Sequence, residues 1–142
     1  MKLKFKKLHP SAVIPTKGTD AAAAYDLVSI ERVFIPCGET VVVSTGLAME
    51  IPIGWRGDIY SRSGLASNGV VVANSPGKID SDYRGEIKVL LHNNRATNIV
   101  GIEAGDRIAQ FEVAPVYDLE FEEVTELEPS ERGEKGLGST GK

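Results

Sequence analysis

The sequence predicts an all-β protein, and three observations carry that prediction. Short apolar runs alternate with polar residues at period two, as in 2-KLKFK-6, 47-LAMEI-51 and 86-EIKVLL-91. Proline or glycine stands at nearly every junction: Pro10, Pro15, Pro36, Pro52, Gly54, Pro76, Gly105, Pro115 and Pro129. No stretch fits an amphipathic helix of three turns. Many short strands with regular turn signals leave a sandwich, a jelly roll or a small barrel open.

The alternating 2-KLKFK-6 opens the chain, and Pro10 and Pro15 punctuate the segment after it. In 20-DAAAAYDL-27 the small residues permit close backbone approach, and Asp26 falls inside an otherwise apolar strand. Valine-rich 40-TVVVS-44 reads as a strand, followed by 47-LAMEI-51. The segment 61-SRSGLA-66 leads into the one helical turn expected, Ser63 to Ser67. Read simply, Ser63 is its N-cap, worth about 1 kcal/mol to the turn. The run 70-VVV-72 precedes a turn from Asn74 to Lys78, then the strand 86–91. In 105-GDRIAQ-110 a turn feeds a strand in which Gln110 takes a position that would suit an apolar residue. The acidic 118-DLEFEEVTELEPSE-131 reads as a solvated strand and linker, with Leu119 and Phe121 alternating inward. These elements make one domain, 1–128, and a glycine-rich tail, 129–142.

Composition narrows the function. A chain of 142 residues can bury one core of its own. No apolar run approaches a membrane span, and the basic Met1 to Lys7 lacks the apolar region of a signal peptide. One cysteine, Cys37, cannot form an internal disulfide, which suits a reducing cytoplasm. The expected location is therefore cytoplasmic, or the host cytoplasm for a viral protein. His9 and His92 are too few for a zinc site without cysteine partners. A net charge of −4 argues against a general nucleic-acid binder. Residues 118–131 hold seven of the 20 acids and none of the 16 bases, so the rest of the chain is mildly cationic. Such a body can attract a small polyanion.

The tail 132-RGEKGLGSTGK-142 points the same way. Glycine-freed backbone N–H groups form anion-binding nests, Ser139 and Thr140 add hydroxyl donors, and Arg132 and Lys135 add positive charge. Gly136 to Lys142 matches the start of a nucleotide P-loop, but that motif needs a Ser/Thr and a helix after the lysine, and neither is expected here. The P-loop is excluded. Upstream, Arg62, Ser63 and Gly64 stand where a helical turn begins, an arrangement suited to phosphate. In 74-NSPGKIDSDYRGEIKV-89 a turn leads to Asp80, Asp82 and then Tyr83. Asp80, Asp82 and Gly85 imitate a calcium loop, but position twelve is Leu91 and Arg84 fills a ligand slot. Calcium is excluded too.

Taken in order, the segments around Asp26, RSGLA, IDSDYRGE, GDRIAQ and GLGSTG resemble the trimeric deoxyuridine triphosphatase (dUTPase) family, from about Asp20 to Lys142. The resemblance implies a jelly-roll-like distorted barrel, a homotrimer, and three active sites, each built from segments of all three subunits. It implies cleavage of dUTP to dUMP and pyrophosphate with Mg²⁺ on the triphosphate. That activity limits uracil incorporation into DNA and supplies dUMP for dTMP synthesis. It implies no nucleic-acid or membrane partner. Asp80 would activate the water that attacks the α-phosphorus, and Tyr83 would lie against the deoxyribose and exclude a 2′-hydroxyl. The turn with Asn74, Gly77, Lys78 and Ile79 would read uracil, and Lys88 belongs to the same substrate-binding set. Arg62, Ser63, Gly64 and Gln110 would serve the phosphates. Asp26 would hold a water of the Mg²⁺ shell, with the ion held mainly by substrate phosphates, or would support the sugar pocket. Arg132, Gly138, Ser139 and Thr140 would close over the γ-phosphate, with Leu137 over the base.

Three positions depart from the family pattern. Ala24 stands where glycine is usual, at about 1 kcal/mol of strain if that backbone needs positive φ. Ser61 replaces the usual proline and should be tolerated, and Leu137 replaces a stacking aromatic. Two rivals share the fold class: a dCTP deaminase, told apart by ammonia release, and a nucleotide-dependent regulatory protein. A capsid-type jelly roll has no use for the glycine-rich tail.

Overall fold

The computed structural model describes residues 1–136, so Leu137, Gly138, Ser139 and Thr140 lie outside the described residues. The strands are β1 (Lys4–Lys7), β2 (Tyr25–Val28), β3 (Val33–Ile35), β4 (Thr40–Ser44), β5 (Leu47–Glu50) and β6 (Trp55–Tyr60). A single helical turn, α1 (Ser63–Ala66), separates these from β7 (Val70–Val72), β8 (Gly77–Ile79), β9 (Lys88–Asn93), β10 (Val100–Ile102) and β11 (Arg107–Pro115). The all-β expectation holds. No helix among the described residues is long and apolar enough to cross a membrane.

Every strand pairing is antiparallel. The largest sheet runs β2-β11-β6-β8; a three-stranded sheet runs β4-β9-β7, and β1-β5 and β10-β3 form two pairs. Period-two alternation explains where the core sits. Val43, Leu47, Met49, Ile87, Val89 and Leu91 point inward from the strands that alternation identified, and Leu27, Ile59 and Phe111 meet them from the large sheet. Each such side chain contributes roughly 1.5–3 kcal/mol of transfer free energy when fully buried. The polar residues of the large sheet are thereby committed to its other face.

Three local expectations are corrected. Ser63 does not cap the helical turn. Arg62 holds the cap position in extended backbone and makes no side-chain capping bond. Residues 118–131 form no strand, and Leu119 and Phe121 are 69% and 91% exposed rather than inward-facing. After Pro115, the last residue of β11 to pair with β6, the segment pairs with no strand among the described residues. The chain leaves the sheet through a last bond, Val116 N–H to the Gly54 carbonyl at 2.8 Å. Finally, Ala24 carries no positive-φ strain: Asn98, at 79°, is the sole non-glycine with positive φ among the described residues.

Candidate active site

The large sheet gathers part of the predicted site by register. Gln110 pairs with Asp26 on one side and with Tyr60 on the other, so one row crosses β2, β11 and β6. Their neighbours Leu27, Phe111 and Ile59 are buried in the core, which puts this row on the opposite face. Asp26 is only 7% exposed, and its partners make a carboxylate tolerable there. Two residues beyond β6, the Arg62 Nε–H donates to Asp26 Oδ1 at 2.9 Å, and its Nη1–H donates to the Arg107 carbonyl at 3.1 Å. The Arg107 Nη1–H donates to Asp26 Oδ2 at 3.3 Å. One carboxylate thus spreads between two guanidiniums, leaving an excess of positive charge at this pole. Ser63 and Gly64 follow at once in α1, where first-turn amides have no intrahelical acceptor. Ser61, in place of proline, accepts the Val72 N–H through its hydroxyl at 2.8 Å and ties this corner to β7.

A second cluster surrounds β8. Its register against β6 pairs Lys78 with Asp58, and the Lys78 ammonium donates to Asp58 Oδ1 at 2.6 Å. The Arg56 Nε–H reaches both Asp58 oxygens at 3.2 Å. Burial of Asp58, 1% exposed, pushes its pKa up. The bonds from Lys78 and Arg56 outweigh that and hold it below the ordinary carboxylate value. On the same face the Tyr60 hydroxyl donates to Glu112 Oε1 at 2.9 Å, and this bond, with burial, raises the phenol pKa. The Lys78 side chain is therefore committed to the sheet. Gly77 is buried under the Asn74 side chain, whose amide nitrogen would sit 3.2 Å from any Cβ placed there.

Asp80 follows β8 directly and is exposed. The Tyr83 amide donates to its carbonyl at 3.2 Å, and the Tyr83 hydroxyl folds back to donate to the Glu86 carbonyl at 2.9 Å. Gly85 makes that fold possible, since a Cβ there would stand 2.6 Å from Tyr83 Cζ. The Arg84 Nη1–H closes the turn on the carbonyls of Ser81 and Tyr83 at 2.7 and 2.9 Å. Glu86 accepts the Gly46 amide at 2.9 Å and anchors the loop from the other side. Lys88 opens β9, with its ammonium 3.5 Å from Glu86 Oε2.

Tyr60 joins the two clusters across the sheet, but Asp80 and Asp26 stay far apart within one protomer. Three strand spacings separate β2 from β8, and Asp80 lies beyond Ile79, the partner of Gly57, some four residues along from the Gln110 row. At about 4.8 Å per strand and about 3.4 Å per residue, Asp80 is roughly 15–20 Å from Asp26. Clefts of about 410 and 440 Å³ border the second cluster, one around Lys4, Phe5, Glu50 and Arg84, the other around Leu3, Ile14, Tyr25 and Glu112. No predicted site residue lines either. Arg132 is exposed, past the last strand, with its carbonyl accepting the Lys135 amide at 3.3 Å.

Sequence reasoning missed Arg107, although it lies within the GDRIAQ segment. Three residues from Gln110, a regular strand would turn it to the opposite face. A β-bulge between Arg107 and Ala109 changes that, and nothing in the residue pattern announces it.

Fold and pole together define an all-β protein with a cation-rich face fit to receive an anion. Comparison with known proteins narrows the class. The dUTPase family model matches residues 11–141. The deoxyuridine 5′-triphosphate nucleotidohydrolase of Nautilia profundicola is 54% identical, with all of both chains covered. Among solved structures, a dUTPase of Staphylococcus bacteriophage 80alpha with dUpNHpp superposes with a TM-score of 0.88 at 32% identity, covering 99% of this chain and 98% of that one. The dUTPase of phage phi11 of S. aureus, described with a structural Mg(II) ion, gives 0.80 at 28% identity, covering 89% and 98%. The chain belongs to the dUTPase family.

Proposed function

We propose that this protein hydrolyses dUTP to dUMP and pyrophosphate, as a homotrimer whose three sites each draw on several subunits. The observation that carries the reading is the Asp26–Arg62–Arg107 pole with Gln110 beside it, a preorganised cationic corner on a rigid sheet. Its family relatives include one solved with the nucleotide analogue dUpNHpp. Arg62, Ser63, Gly64 and Gln110 bind the phosphates. The Asn74–Asp80 turn, with Gly77, Lys78 and Ile79, takes uracil with Lys88 alongside, and the exposed ring of Tyr83 packs on the deoxyribose. Arg132, Leu137, Gly138, Ser139 and Thr140 cover the bound triphosphate.

In the chemical step Asp80 accepts a proton from water while the water oxygen attacks the α-phosphorus. The bond from that phosphorus to the oxygen bridging the β-phosphate breaks, and pyrophosphate leaves with the electron pair. Such transfer needs positioning and charge neutralisation more than covalent chemistry. The residues fit a magnesium ion held mainly by substrate. Among the described residues no group of three or more His, Cys, Asp or Glu could hold a metal. Asp26 keeps lone pairs beyond its two guanidinium bonds for a metal-bound water. When bound, the ion neutralises phosphate charge as the transition state forms.

Trimer formation is supported by the separation of Asp80 from Asp26 and by the lining of the two clefts, neither of which contains Asp26, Arg62, Gln110 or Asp80. A small-molecule site is normally concave, so other copies must supply its remaining walls. Localisation in the cytoplasm, or in a host's cytoplasm, fits a nucleotide substrate, with neither nucleic acid nor membrane as partner. The test is pyrophosphate release from dUTP, dTTP, dCTP and UTP in Mg²⁺. dUTP should be strongly preferred, because a methyl or a 2′-hydroxyl is rejected by shape. Comparable turnover of dTTP or UTP sinks the reading, and ammonia release from dCTP would move the protein to the deaminases.

A further inference from the structure

We propose that Arg107 is a positioning residue that holds Arg62 in its phosphate-facing pose by way of Asp26; this rests on Arg62 binding phosphate as proposed above. A bulge puts Arg107 in place. β11 pairs Gln110 with Asp26 and Ala109 with Leu27, but it is then Arg107, not Ile108, that pairs with Val28. The inserted residue lets both Ile108 and Ala109 point into the core, each fully buried. Arg107 is thereby returned to the face that carries Asp26 and Gln110. Bulges re-aim side chains in this way beside functional sites.

The bonds then close a ring. Arg62 Nε–H holds Asp26 Oδ1, Arg107 Nη1–H holds Asp26 Oδ2, and Arg62 Nη1–H holds the Arg107 carbonyl. Arg62 is thus fixed at two of its nitrogens by acceptors that Arg107 either supplies or orients. The Arg62 side chain is 24% exposed and that of Arg107 is 57% exposed. Arg107 can therefore be changed without opening the core. Losing it frees the Asp26 carboxylate to rotate about its Cβ, and Arg62 loses its set direction.

Binding of dUpNHpp and of 2′-deoxyuridine to the full-length protein, measured by calorimetry, tests this. Arg107→Gln should weaken dUpNHpp binding about tenfold, the scale of one lost charge-assisted bond to a shielded carboxylate. Binding of 2′-deoxyuridine, which has no phosphate, should stay within about twofold, a split that a general loss of structure would not give. Arg107→Lys, which keeps a charged donor, should recover most of the loss. In the Asp26→Asn background, Arg107→Gln should add less than about twofold, because the residue acts through Asp26. A full tenfold loss in that background would mean direct contact with phosphate and overturn the positioning role. Unchanged dUpNHpp affinity in Arg107→Gln overturns the proposal alone. Wild-type protein that binds dUpNHpp no better than 2′-deoxyuridine overturns the phosphate reading beneath it.

Discussion

At the scale of single residues, Asp80 and Asp58 show how the same side chain serves opposite ends. Asp58 is buried with both oxygens engaged by Arg56 and Lys78. Asp80 is exposed at a strand end, and its backbone carbonyl, not its carboxylate, fixes the following turn. A carboxylate left out of the local bonding is the one able to take a proton from water. Asp80→Asn keeps the shape and the turn but removes the acceptor. Its turnover of dUTP should fall by roughly two to four orders of magnitude, with dUpNHpp affinity nearly intact. Single-turnover rates beside calorimetric affinities measure both, and near-normal turnover would remove Asp80 from the mechanism. The residues alone drew attention to Asp80 and Asp82 together, because two carboxylates followed by an aromatic do not suit a plain hairpin, and only the family resemblance chose Asp80. Arg107 was not legible, because its role depends on a bulge.

At the scale of elements, β6 shows what alternation conceals. Its sequence, WRGDIY, sets charged Arg56 and Asp58 on one face, yet Asp58 is 1% exposed. Only the register that sets Lys78 across from Asp58 shows an ion pair stitching β6 to the edge strand β8. The apolar strands were legible by period two, since burial alone decides their faces. Burial of Asp58 depends on Lys78, set across from it only by register, as well as on Arg56 two residues back. Removing Asp58 should loosen the strand that carries Asp80. Asp58→Asn should cost about 1–3 kcal/mol at neutral pH, the scale of a broken buried charge-assisted pair. The sign of the pH dependence follows from its lowered pKa. Its contribution is complete above the unfolded-state value near 4 and is lost as pH falls through the lower folded-state value. Urea unfolding should show the gap between wild type and Asp58→Asn narrowing as pH falls below about 4. A gap that widens in acid would show that Asp58 is not held as the charged form.

At the scale of the whole molecule, the protomer keeps the two parts of the proposed site apart. Asp26, Arg62 and Gln110 crowd one end of the large sheet, and Asp80 and Tyr83 lie past its far edge. Beyond Pro115 the chain exposes Tyr117, Leu119 and Phe121, which none of the described residues of the protomer covers. A lone copy therefore leaves apolar side chains and the parts of the proposed site unpartnered, as expected of a subunit in a closed assembly. Complementation tests this directly. Asp80→Asn and Arg62→Gln should each be nearly inactive as pure proteins. Co-expressed in equal amounts, they should form mixed trimers in which some sites take Asp80 from one variant and Arg62 from the other. Random assembly gives about one quarter of sites both intact residues, so dUTP turnover should recover to about a quarter of wild type. Turnover no higher than the mean of the two parents would mean that each protomer builds its site alone, and the separation of Asp80 from Arg62 would then have to close within a single chain.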